Sequence, residues 1–121
     1  MRVDRELMRG AGPAAVLKLL ESGEKYGYEL VERLEQQSAG VLAMGQSTLY
    51  PLLYNLEAQG FVKAEWREAD SVRGRKYYRL TPKGKKRLAD DTKQWEAVVQ
   101  ALTSLGILSG ATQPATGGAT S

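Results

Sequence analysis

Residues 47–56 read STLYPLLYNL. Leu49, Leu52, Leu53 and Leu56 recur at i, i+3, i+4 and i+7, the stripe of an amphipathic helix. The spacing predicts a helix that starts near Gly45 to Ser47 and ends before Gly60. Pro51 sits early in it, where a missing N–H costs least. With the leucines turned to a core, the opposite face presents Ser47, Thr48, Tyr50, Tyr54 and Asn55, which are uncharged and mostly hydroxylated. Directly downstream the period changes from helical to two. Val62, Ala64 and Trp66 alternate with Lys63, Glu65 and Arg67 across Phe61 to Glu68, the mark of a strand. Asp70 to Gly74 reads as a loop, and Lys76 to Leu80 as a second strand, so the pair makes a hairpin.

Upstream, Leu30, Val31 and Leu34 place one apolar stripe on a helix from about Gly27 to Gln37, with Glu29, Glu32, Arg33 and Glu35 outward. A first helix is expected from Pro13 to about Glu21, with Val16, Leu17 and Leu20 on one face. Asp4 to Arg9 can add a preceding helical turn or two, broken at Gly10-Ala11-Gly12. Past the hairpin, Thr81 as N-cap and Pro82 at the first position open a last helix that can run to Leu105. Leu88, Trp95 and Leu102 are spaced by heptads, as are Val98 and Leu105, with Asp91 breaking the seam. Such a helix, roughly 36 Å long at about 1.5 Å per residue, has little protein of its own to cover its stripe. Pairing with a second copy through Leu88, Trp95, Val98, Leu102 and Leu105 is the economical answer. Residues 106–121 are mostly Gly, Ala, Thr and Ser and read as a flexible tail.

The resulting class is mainly α with a β-hairpin wing (α+β). A winged helix-turn-helix over residues 1–81 is followed by a dimerisation helix over 82–105 and the tail over 106–121. The charge agrees with a polyanion partner. The chain carries +3 overall, but residues 61–87 hold ten basic and three acidic side chains, while both flanking segments are net acidic. The chain has no cysteine and no histidine. This removes disulfides, thiolate metal sites and the commonest general base and metal ligand, so neither an enzyme nor a cofactor or metal is expected. No apolar run approaches a membrane span of roughly 18 residues, and the first residues lack a secretory pattern. A cytoplasmic, nucleoid-associated protein is expected.

Three motifs carry a family resemblance. Lys25-Tyr26-Gly27-Tyr28-Glu29-Leu30 resembles the glycine-tyrosine start of the second helix in PadR-type transcriptional regulators. Ser47 to Leu53, followed by Leu56-Glu57-Ala58-Gln59-Gly60-Phe61-Val62, resembles that family's recognition helix, and Gly74 to Gly84 its wing. The resemblance spans roughly Asp4 to Leu105 and points to the compact subclass with one terminal helix. Gly10 to Pro13 departs from the family's continuous first helix. The resemblance implies a homodimeric repressor on a palindromic operator in double-stranded DNA, with some members answering to small hydrophobic or phenolic effectors.

On this reading the DNA-binding residues are Ser47, Thr48, Tyr50, Pro51 and Tyr54 on the third helix and Arg73, Arg75 and Lys76 on the wing. Ser47 and Thr48 either touch phosphate or cap their helix. Tyr54 is either a contact or a half-buried aromatic, and Lys76 either contacts DNA or points to solvent. The run Lys83, Lys85, Lys86 and Arg87 is first of all a solvated face. Trp95 is either dimer core or one wall of an effector pocket with Met8, Asp91 and Val99, where Leu7 is a further candidate. The competing function is a winged-helix protein-interaction module whose basic wing is incidental.

Overall fold

The computed structural model describes residues 1–67 and 74–109. It orders helix α1 (Arg5–Glu21), strand β1 (Lys25–Tyr26), α2 (Gly27–Gln37), α3 (Gln46–Ala58), β2 (Val62–Arg67), β3 (Arg75–Leu80) and α4 (Pro82–Ser104). The chain divides into two compact units, Met1–Ala89 and Asp90–Ser121.

The first unit is built around leucine stripes. Val16, Leu17, Leu30, Leu49 and Leu53 are fully buried, and Leu20, Leu34, Leu56, Val62, Tyr78 and Leu88 close the same core. At roughly 1.5–3 kcal/mol for each large apolar side chain removed from water, this cluster drives the folding of three short helices that would be marginal alone. The helical and alternating periods thus place α2, α3 and the hairpin as the sequence indicates.

Four features differ from the sequence reading. α1 is one helix through Gly10 to Pro13 rather than two pieces broken there. Asp4 caps it by accepting from the Leu7 N–H at 3.1 Å. Gly12 is buried, and a Cβ there would stand 3.3 Å from Met44 Cε, so glycine lets the helix lie close to its neighbours. Packing therefore outweighs the cost of about 1 kcal/mol for a glycine inside a helix. Second, the sheet has a third strand. β1 pairs antiparallel with β3 (Lys25 opposite Tyr78, Tyr26 opposite Tyr77), giving the order β1-β3-β2. Third, Pro51 lies inside α3, five residues past its start, where it offers no amide to the Ser47 carbonyl. Fourth, Leu88 is 5% exposed in the core of the first unit, so its side chain is not available to the expected dimer seam.

The junction of α3, β2 and α4 is closely bonded. Gly60, at φ +83°, ends α3 with the Phe61 N–H donating to the Leu56 carbonyl at 2.9 Å and its own N–H to Glu57 at 2.9 Å. The Thr81 hydroxyl donates toward the Gly60 and Phe61 carbonyls (2.7 and 3.0 Å) and accepts from the Gly84 N–H at 3.0 Å, as an N-cap should. The second unit is the remainder of α4 and its end. Gly106 and Ile107 donate to the Thr103 and Leu102 carbonyls (3.0 and 2.9 Å), a Schellman closure. The tail expected from Gly106 thus begins inside this cap. Residues 110–121 lie outside the described residues, as do 68–73.

Gly84 has no room for a side chain, because a Cβ would overlap the Phe61 carbonyl and stand 2.8 Å from Leu80 Cδ1. Gly84→Ala should therefore cost about 3 kcal/mol of stability, at the upper end for overpacking. Chemical denaturation would read this as a lower midpoint with unchanged slope.

Candidate nucleic-acid interface

The leucines of α3 fix its orientation. With Leu49, Leu53 and Leu56 inward, Ser47, Thr48, Tyr50, Pro51, Tyr54 and Asn55 are all exposed, Tyr54 at 74%. Gly45 is the N-cap of α3 and supplies no side-chain bond, and Ser47 and Thr48 do not cap the helix. Their hydroxyls make no hydrogen bond among the described residues. The front of α3 is thus a row of groups that can donate and accept but carry no charge.

The charge stands beside it on the wing. In the β2–β3 register Trp66 is opposite Lys76 and Arg67 opposite Arg75, so Trp66 and Lys76 share the face that carries Ala64 and Tyr78. Lys76 leans inward rather than to solvent. Its ammonium lies 4.0 Å from a Glu57 carboxylate oxygen, 5.8 Å from the Tyr78 ring centre and 6.0 Å from that of Trp66. Arg75 is on the other face, with its guanidinium 4.4 Å above the Tyr26 ring, and Arg67 lies 4.7 Å above Tyr77. Tyr26 and Tyr77 meet edge-on at 5.6 Å. Arg73 falls in 68–73, outside the described residues.

Between α3 and the wing lies a cleft of about 490 Å³ whose walls include Tyr28, Tyr50, Tyr54, Trp66, Arg75 and Lys76. The sequence reading found Tyr50, Tyr54, Arg75 and Lys76 but not Tyr28 (49% exposed) or Trp66 (68% exposed). Large exposed aromatics on strand and helix were the available signal. Tyr50 is seated because α2 begins with Gly27, where a Cβ would stand 2.7 Å from its ring carbons. Burial, followed by the charge of Glu57, pushes the Tyr78 phenol up, keeping it a neutral part of the wall.

Lys25 was also passed over. It is 4% exposed, and its ammonium donates to the Leu19 and Gly23 carbonyls and Ser22 Oγ at 2.9–3.1 Å. It thus satisfies the carboxyl end of α1 and starts β1 at the foot of the wing. Burial, and secondarily Arg33, pushes its pKa down. In the basic run after Thr81, Lys83 donates to the Gln59 carbonyl at 2.9 Å, and Lys83 and Arg87 lie 5.4 and 4.9 Å over the Phe61 ring. Lys85 and Lys86 remain exposed.

Met8 is half-buried in the first unit, where it lines a groove beside Met44. Leu7 is 56% exposed. In the second unit Asp91, Trp95 and Leu102 are half-buried. Val98, Val99 and Leu105 are 43, 50 and 75% exposed. No cluster of acidic side chains able to hold a metal, and no helix long and apolar enough to cross a membrane, occurs among the described residues.

Residues 16–90 match the model of the transcriptional regulator PadR-like family. The chain is 33% identical over 96 residues to a transcriptional regulator of Mycobacterium tuberculosis, covering 79% of this chain and 86% of that one. It is similar to the crystal structure of a PadR family transcriptional regulator from Eggerthella lenta (TM-score 0.73, 36% identity, 83% of this chain and 85% of that one). It is also similar to a transcriptional regulator from Clostridium thermocellum (TM-score 0.77, 27% identity, 84% and 96%).

The loop end of β2 is tied by Arg67, which holds both carboxylate oxygens of Glu24, one at 2.8 Å. That bond keeps the Glu24 carboxyl below its usual 4.5. A carboxyl with a lower pKa folded than unfolded adds stability above the unfolded value and loses it as pH falls through the folded one. The advantage in melting temperature of the wild type over Glu24→Gln should accordingly be present at pH 7 and vanish on acidification below pH 4.5. An advantage independent of pH would contradict it.

Proposed function

We propose that this chain, which belongs to the PadR-like family of transcriptional regulators, acts as a homodimeric repressor. Membership makes it a DNA-binding regulator, and that family is one of regulators, not enzymes. The observation that carries the reading is the pairing of an uncharged, hydroxyl-bearing α3 face with arginine and lysine on the adjoining wing. Ser47, Thr48, Tyr50, Pro51 and Tyr54 meet base edges, thymine methyls and nearby phosphates in the major groove. Arg75 and Lys76, and Arg73 beyond the described strand, meet the backbone or minor groove alongside. Lys76 does so after leaving Glu57, a half-exposed partner at 4.0 Å that holds it weakly.

Two copies join through the second unit. Trp95, Val98, Leu102 and Leu105 form the apolar stripe of that helix, and Val98 and Leu105 are left exposed in the single chain. A two-fold pair presents two α3 helices to half-sites about one helical turn, roughly 34 Å, apart, which calls for a palindromic operator. An aromatic or hydrophobic effector fits beside Trp95, with Val99 as an apolar neighbour and Asp91 as the polar group. By changing how the two copies meet, it would shift the spacing of the two α3 helices.

Recovery of bound sequences from a random DNA library tests the reading, and capture of no preferred palindrome would end it. On the selected site, Thr48→Ala should cost about 1–3 kcal/mol at the contacted step while leaving random DNA nearly unchanged. Arg75→Ala should weaken both equally and make the salt slope shallower by about 0.9, the share of one phosphate. Val98→Glu with Leu102→Glu should give a folded monomer by sedimentation, with loss of high affinity for the two-half-site DNA. A dimer that survives this pair of changes would refute the seam.

A further inference from the structure

The wing is not the only basic surface beside α3. A groove of about 960 Å³ runs between the start of α1 and α3, with Arg2, Arg5 and Arg9 on one wall and Thr48, Pro51 and Asn55 on the other. Thr48, Pro51 and Asn55 lie on the side of α3 away from Tyr50, Tyr54 and Glu57, which face the wing cleft. The exposed front of α3 therefore has a groove on each flank.

The cationic wall is positioned by the fold. Arg5 and Arg9 are i, i+4 on α1 and share a face. Arg2 is kept near them because the Val3 N–H donates to the Val41 carbonyl at 3.1 Å, tying the chain ahead of α1 to the connector ahead of α3. A Cβ on Gly12 would stand 3.3 Å from Met44 Cε and 3.9 Å from Leu52 Cδ2, so glycine lets α1 lie close to the residues around α3. All three arginines are exposed, and none makes an ion pair or hydrogen bond within the protein among the described residues. Among those residues Asp4 is the one carboxylate lining the groove, and it is engaged in capping α1.

We propose that this groove seats a phosphodiester strand of the bound DNA, with Arg2, Arg5 and Arg9 as phosphate contacts. The proposal rests on the DNA-binding reading and adds a second site to it. Charge complementarity selects the occupant. Three uncompensated guanidiniums against one committed carboxylate suit a polyanion, and the planar guanidinium fork matches phosphate oxygens. An apolar helix of a second copy would leave three charges to be desolvated without partners. DNA is then gripped on both flanks of α3, by the wing on one and by the amino-terminal arginines on the other.

The test is the salt dependence of binding to library-selected DNA, read by fluorescence anisotropy on the full chain. Arg2→Ala, Arg5→Ala and Arg9→Ala combined should make the slope of log affinity against log salt shallower by about 2 to 3, at about 0.9 for each phosphate no longer neutralised. Thermal midpoint and oligomeric mass should stay unchanged. The triple Arg→Lys variant should retain most of the slope, since charge carries the interaction. An unchanged slope in the alanine variant, with Arg75→Ala still flattening it, overturns the groove and leaves the DNA reading standing. An equal effect per charge from Lys18→Ala, outside the groove and paired with Glu21 at 2.7 Å, makes it a net-charge effect and also overturns it. A changed mass assigns the groove to a second copy instead. A wild-type chain that binds no DNA removes both.

Discussion

The first unit turns on the carbonyl of Phe61. It accepts from the Thr81 amide at 3.1 Å and lies within hydrogen-bonding reach of the Thr81 hydroxyl at 3.0 Å, while Gly84 lets α4 approach it without a Cβ between. The end of α3, the start of β2 and the first turn of α4 therefore meet at one bonded point. Because Val62 pairs with Leu80 immediately beside it, the register of the whole hairpin is set from there. A slip of one residue would move Val62 and Tyr78 out of the core and turn Lys76 and Trp66 away from α3. The relation of wing to α3, on which the proposed recognition rests, is thus decided at the far end of the strands from the wing's tip.

Shape and charge are divided between elements. On the proposed reading α3 offers hydroxyls, an amide and aromatic edges, groups that discriminate bases by geometry. The cations sit on neighbouring elements, where on the same reading they would add affinity without sequence information. An arginine-rich α3 would bind any duplex through its backbone. A neutral α3 face would leave attraction to DNA general, and discrimination local to a few side chains.

Much of this was legible in the sequence because the decisive signals are local periods. The Leu49 to Leu56 stripe, the Val62-Ala64-Trp66 alternation and Thr81-Pro82 each specify an element within a few residues. What was not legible depends on tertiary contact. Gly10 and Gly12 look like a helix break until Gly12 is packed against Met44, where a Cβ would be tight. β1 is two residues long and exists only through β3. Leu88 fits a heptad with Trp95 equally well whether it faces its own core or a partner, and only the fold assigns it inward. Tyr26, Tyr28, Tyr50, Trp66 and Tyr78 are scattered widely along the chain, and they become one wall only when α2, α3 and the sheet pack. Nothing local to Lys25 signals burial, yet three acceptors at the end of α1 hold it inside.

The aromatic rings beneath Arg67, Arg75 and Lys76 have one more consequence. A long cationic side chain normally sacrifices rotamer entropy when it is immobilised by a partner, about 0.5–1.5 kcal/mol each. Guanidiniums already resting on tyrosine faces have surrendered part of that freedom during folding. For the proposed DNA contact, encounter would then be a docking of partly preorganised cations rather than the capture of waving ones, with the rings as rests that keep the finger aimed between visits.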